Sequence, residues 1–124
     1  MTDQMIDVTL TIGEQVFSAK LYDHQTTRAF IEKLPLSMNM NDHNRNEKFY
    51  NFSDVLPEDS EVPGEIWAGD IMLYGDNCLV LFYESFSSTY RYTRMGFIED
   101  PAGFAQAAGA GDVTVAFDLA ENRK

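Results

Sequence analysis

The chain has 124 residues, the length of one ordinary domain with one core, and is read as a single domain over 1–124. Nine Lys and Arg face 20 Asp and Glu, a net charge of −11. That balance disfavours nucleic acid, whose phosphates need clustered bases, and anionic membrane surfaces.

Nine Phe, six Tyr and one Trp within a 44 % hydrophobic composition specify a folded core instead of a disordered tail. No apolar run approaches the ~20 residues of a membrane span. The start, MTDQMIDVTL, carries acids and no Lys or Arg, unlike the basic opening of a signal peptide. A cytoplasmic protein is expected. The single cysteine, Cys78, excludes an internal disulfide and a Cys-cluster zinc site. Its setting in CLVLFY reads as a buried, inert thiol.

Residues 6–12, IDVTLTI, alternate apolar and polar, the period of a half-buried strand. Gly13-Glu14-Gln15 is a hairpin turn, and VFSAKLY returns with Phe17, Ala19 and Leu21 on the core face. The period then changes. Asp23 is the expected cap of a helix running to about Leu34, with Pro35 stopping it. LSMNMN alternates again, with Leu36, Met38 and Met40 inward. DHNRN is a turn, and EKFYNF is a short strand.

Residues 53–69 hold two prolines, two glycines and five acids without a base, which reads as a surface loop. DIMLY and CLVLFYE are strands joined by Gly75-Asp76-Asn77. CLVLFY is apolar on both faces, so it is expected to be central and covered on both sides. Residues 90–98 form another strand. Asp100 and Pro101 open a short helix that Gly109 ends. DVTVAFDL closes the series, with Val113, Val115, Phe117 and Leu119 on the core face, followed by a polar tail, ENRK. Seven or eight short antiparallel strands with two helices must close or pack face to face to hide their edges. The expected fold is mainly β: a closed antiparallel barrel of about eight strands with two short helices.

The chemistry-bearing motifs are sparse. His24 and His43 are the only histidines, and no Gly-x-Ser-x-Gly elbow is present. Asp42, His43 and Glu47 lie near each other but match no EF-hand or zinc spacing, so no metal is expected. No Gly-rich strand-to-helix turn cradles phosphate, and no cofactor is expected. The richest stretch is FYESFSSTYRYTRMG, residues 82–96, with five aromatic rings and the first cations after Lys48, Arg91 and Arg94. On an ideal strand Tyr90, Tyr92 and Arg94 share a face. Arg94 beside tyrosines fits a carboxylate or a carbonyl, with the rings as pocket walls. The alternative for the same residues is cross-strand packing and ion pairs to the many acids.

Several pieces together resemble the small prokaryotic cyclophilin-like fold proteins. They are Arg28-Ala29-Phe30 with Leu34-Pro35-Leu36, the Glu47-Lys48 pair, the Gly69-Asp70-Ile71 strand start, and the segment from Ser87 to Ile98, within a similarity spanning about Ile6 to Leu119. The resemblance implies a cyclophilin-like barrel with helices at its ends and a largely unassigned activity. It also raises peptidyl-prolyl isomerisation, in which a cationic donor, an apolar proline pocket and hydrogen bonds hold the twisted amide. Cyclophilins supply that donor from a Phe-His-Arg run, and EKFYNF has none.

The expected function is therefore a binding module for a peptide or small ligand, in one cleft formed by Glu47, Lys48, Tyr50, Tyr83, Ser87, Tyr90 and Arg94. A peptidyl-prolyl isomerase is the first alternative, with no catalytic residue assigned. An accessory domain for a larger redox or carrier protein, docking through the acidic segment 54–65, is the second.

Overall fold

The computed structural model describes residues 5–120; the polar tail ENRK lies outside the described residues. Strands β1 (Met5–Ile12) and β2 (Gln15–Tyr22) form the expected hairpin. Helix α1 (Gln25–Ile31) follows, then β3 (Leu36–His43), β4 (Glu47–Asn51) and a short β5 (Gly64–Ile66). Strands β6 (Asp70–Tyr74), β7 (Cys78–Phe82), β8 (Phe86–Ser88) and β9 (Thr93–Ile98) precede helix α2 (Phe104–Ala108) and β10 (Val113–Leu119). Eight of the ten strands close an antiparallel barrel in the order β1-β10-β3-β4-β7-β6-β9-β2, while β5 and β8 pair as a separate ribbon. Closure leaves the barrel no open edge.

Alternation along the strands builds two apolar clusters. The barrel interior holds Leu10, Leu21, Met38, Met40, Ile71, Leu79, Leu81 and Phe117, all 2 % exposed or less. Phe30 of α1 and Phe104 of α2 plug the interior, Phe30 meeting Phe117 edge-on with ring centroids 5.3 Å apart. Each such side chain contributes about 1.5–3 kcal/mol by leaving water. The second cluster lies outside the wall. Met72, Val80, Phe82 and Tyr92 are covered there by Ile66 of β5 and Phe86 of β8. Strand β7 is thus buried on both faces, as its unbroken apolar run requires.

Gly96 closes the seam between β9 and β2. A Cβ there would stand 2.1 Å from the Lys20 carbonyl oxygen and 2.8 Å from Leu21 Cα, both backbone atoms, so only glycine permits this approach. One register shift, between Ile71 and Met72, pairs them with Gly96 and Arg94 and leaves Met95 as the extra residue. This bulge lets Met95 as well as Ile98 reach the interior, which strict alternation forbids.

Local expectations differ from the structure in a few places. His24, not Asp23, is the N-cap of α1: its ring nitrogen Nδ1 accepts from Thr27 N–H, and Thr27 Oγ1 accepts from His24 N–H. Asp23 instead takes the Arg28 guanidinium at 2.7 Å. The helix ends at Ile31, short of Leu34. Asp100 accepts from Ala102 N–H, but α2 starts later, with Gly103 as N-cap. Leu119 is 45 % exposed, because it lies beyond the interior-facing part of β10. The segment 53–69 contains β5, and several polar contacts pin it to the barrel. Thr26 Oγ1 donates to the Pro57 carbonyl at 2.6 Å, Asp59 N–H donates to Thr93 Oγ1 at 2.9 Å, and Glu61 pairs with Tyr92 through the backbone.

Candidate functional site

The seven expected residues fall in four places. Adjacent residues on a strand face opposite sides, so β4 sends Lys48 and Tyr50 inward and Glu47 and Phe49 outward. Lys48 is fully buried. Its ammonium donates to Asp42 Oδ1 at 3.1 Å, to the Gly109 carbonyl at 2.8 Å and to the Gly111 carbonyl, and it lies 5.3 Å from the Tyr83 ring centroid. The Tyr83 hydroxyl donates to the same Asp42 oxygen.

Burial alone would raise the Asp42 pKa, but the Tyr83 and Lys48 hydrogen bonds outweigh it and hold the carboxyl below its ordinary value. Burial and the Asp42 contact push the Tyr83 phenol well up. These three side chains tie the α2–β10 connection to the end of the barrel, and Lys48 and Tyr83 are buried there. Tyr50 packs against the interior cluster, edge-on to Phe52.

Ser87 sits on the β5–β8 ribbon and donates to Glu65 at 3.2 Å. Arg94 lines a cleft of about 260 Å³ beside α1, together with His24, Thr26 and Glu61. Its guanidinium is held there, by Glu61 Oε2 at 3.1 Å and the Pro63 carbonyl at 3.1 Å. His24 fixes the backbone of the same residue, Nε2 donating to the Arg94 carbonyl at 2.8 Å.

Glu47 and Tyr90 share a cleft among the described residues. It has a volume of about 350 Å³ and lies on the outer wall formed by β4, β7 and β6, beside the β5–β8 ribbon. Phe49, Tyr74, Phe86, Tyr90 and Tyr92 supply five rings, and Cys78 and Glu47 supply the polar groups of the wall. His43, Asn44 and Asn46 complete it from the β3–β4 turn. The rings of Tyr74 and Tyr92 are 5.5 Å apart at 55°, and those of Tyr74 and Tyr90 are 6.2 Å apart at 74°. Their inclined faces make a concave wall instead of a flat stack.

Burial raises the Glu47 carboxyl above its ordinary value, and the charge of Asp42 adds to that, while His43 opposes it. Burial pushes the Cys78 thiol up to about 11 and the Tyr92 phenol up to about 12, with the Glu47 charge contributing to both. Cys78 is half-buried and almost wholly protonated at neutral pH, which leaves little nucleophilic thiolate. Among the described residues no three His, Cys, Asp or Glu side chains gather as a metal site. No described helix is long and apolar enough to cross a membrane.

Most of the cleft was not among the candidates. The strand period could have found Phe49, two residues after Glu47 on the same face, and Tyr74 and Cys78, which are register partners on the outer wall. Phe86 had no such signal, because its position depends on the ribbon.

The model of the Cyclophilin-like family matches residues 10–118. Among solved structures, a hypothetical protein from Archaeoglobus fulgidus, determined in solution, is similar with a TM-score of 0.64 and 13 % identity, covering 96 % of this chain and 98 % of its own. At that identity the likeness concerns the fold alone. Among curated proteins none matches the chain significantly. The family match over nearly the whole barrel agrees with the closed eight-strand topology: the chain belongs to the cyclophilin-like family.

Proposed function

We propose that this chain is a non-catalytic binding module whose ligand, a peptide or a small molecule, occupies the outer cleft between Glu47, Tyr74, Tyr90 and Tyr92. The observation that carries this reading is the cleft itself, about 350 Å³ of concave, ring-lined space with a half-buried carboxylate. Ligand sites commonly span roughly 300–1,000 Å³, with mostly apolar walls and a few placed polar groups.

A peptidyl-prolyl isomerase reading finds less support. The donor it needs has no counterpart in this wall, which is lined by no Lys or Arg. Lys48 is committed inside the barrel, and Arg94 is held by Glu61 in the other cleft. The acidic segment also offers less as a docking surface than its charge implies, since Asp54 already pairs with Lys33 and Glu61 with Arg94.

A fragment library titrated against 15N-labelled protein tests the reading. Hits are expected to shift the amides of Glu47, Phe49, Tyr74 and Tyr92, and Tyr90→Ala should weaken them. Hits confined to the Arg94 cleft, or none at millimolar concentration, would refute it.

A further inference from the structure

The outer cleft carries a second, more specific message about its ligand. Glu47 is taken partly out of water with little compensation: among the described residues no hydrogen bond or salt bridge reaches its carboxylate, and the opposing His43 is the group that favours its charge. Withdrawing an ionised carboxylate from water without a partner is unfavourable. Asn46 Oδ1, in the same wall, is buried and also has no donor. The wall therefore offers the Glu47 carboxylate and no Lys or Arg, with His43 its one basic side chain, and the chain's net charge of −11 surrounds it with a field that attracts cations. The exposed rings of Tyr74 and Tyr90 stand in the same wall, 6.2 Å apart, and aromatic faces attract an organic cation.

We infer that the ligand of this cleft carries an organic cation, an alkylammonium or guanidinium group, seated against Tyr74 and Tyr90 with Glu47 as its counter-ion. The inference rests on the cleft being a binding site, and specifies the chemistry that site selects. An anion would meet the Glu47 carboxylate with no Lys or Arg in the wall to balance it. A neutral apolar group would fill the space but complete the desolvation of an unpaired charge. A bare metal ion would find one carboxylate where it needs several ligands.

A free amine and the Lys or Arg side chain of a peptide present the same chemistry. The test uses choline, its neutral carbon isostere 3,3-dimethylbutanol, N-acetyl-arginine N-methylamide and hexanoate, each titrated against 15N-labelled protein and against Glu47→Gln and Tyr90→Ala. Choline and the arginine amide should shift the Glu47, Tyr74 and Tyr92 amides. The neutral isostere should bind at least about tenfold more weakly, as expected for a carboxylate and π-faces acting on one charge. Glu47→Gln should reduce that difference, leaving only the share the rings supply. Tyr90→Ala, which removes an exposed ring, should weaken both cations while the fold stays intact.

The tighter of the two cations identifies the source as a free ammonium compound or a peptide side chain. Equal binding of the isostere, preference for hexanoate, or an undiminished preference in Glu47→Gln would overturn the cation inference while leaving the cleft a binding site. Failure of all four probes to move the cleft at millimolar concentration would overturn both.

Discussion

Two carboxylates at one end of the barrel meet opposite fates. Asp42 on β3 faces inward and receives Lys48 and Tyr83, and its pKa is held down although burial opposes this. Glu47 on β4 faces outward into the cleft, receives no donor from the protein, and is raised by burial. The β3–β4 pairing places them close together: Asp42 is the register partner of Lys48, and His43 that of Glu47. The pleat alone separates them. A partnered carboxylate inside a wall is structural, whereas one left without a partner in a ring-lined cleft is available to a ligand.

The largest effect that can test this contrast is on the inner cluster. Lys48→Met strands Asp42 and two backbone carbonyls, and breaking a buried pair costs about 3–5 kcal/mol. Urea unfolding should show a loss of that order, and a loss below ~1 kcal/mol would remove the structural role assigned to Lys48.

Glu47→Gln is predicted to behave in the opposite sense. It removes an uncompensated charge and should leave stability unchanged or raise it by up to about 1 kcal/mol. A clear destabilisation would mean that Glu47 has a partner in the fold.

The pH dependence of the two variants sharpens the comparison further. A depressed folded pKa, as for Asp42, contributes stability above the unfolded value that is lost as pH falls through the folded one. The deficit of Asp42→Asn should therefore be full at pH 7 and shrink below about pH 4. A raised folded pKa, as for Glu47, is a penalty that is full above the folded value and gone below the unfolded one. The advantage of Glu47→Gln should therefore fade as pH drops from 7 towards about 4. His43 on β3, Cys78 on β7 and Tyr92 before β9 line the cleft with Glu47, and the charge of Asp42 acts on it from the inner face. Repeating the series in His43→Gln separates its contribution. Parallel pH profiles for the two variants would contradict the assigned environments.

The smallest expected effect is on Cys78. Glu47→Gln should lower its pKa slightly and speed modification by a disulfide reagent, a change read at pH 8.

Much of the barrel was legible because its strands carry the period of 2 cleanly. IDVTLTI, LSMNMN and DVTVAFDL each place their buried residues where alternation predicts, apart from Leu119 beyond the interior. CLVLFY announced a strand buried on both faces. The irregular features left weaker traces. Met95 breaks alternation at a bulge that depends on the partner strand, and β5 and β8 are three residues each in segments rich in turn formers. A histidine N-cap has no preference to announce it when an aspartate precedes it.

The candidate site was legible only in part. Glu47 and Tyr90 were named, but Lys48 was grouped with Glu47 although neighbours on a strand point to opposite faces. Arg94 drew attention as a rare cation, and its charge is taken up by Glu61, as the abundance of acids in the chain would suggest. The rings that form the cleft come from four separated segments, so only the closed barrel brings them together.

The most direct measurement of the central claim is amide-shift mapping of choline against 3,3-dimethylbutanol on wild type and Glu47→Gln. The account predicts shifts centred on Glu47, Tyr74 and Tyr92, with the cation favoured at least about tenfold in wild type and by less in Glu47→Gln. Shifts centred on Arg94, or equal binding of the two isosteres to wild type, would contradict it.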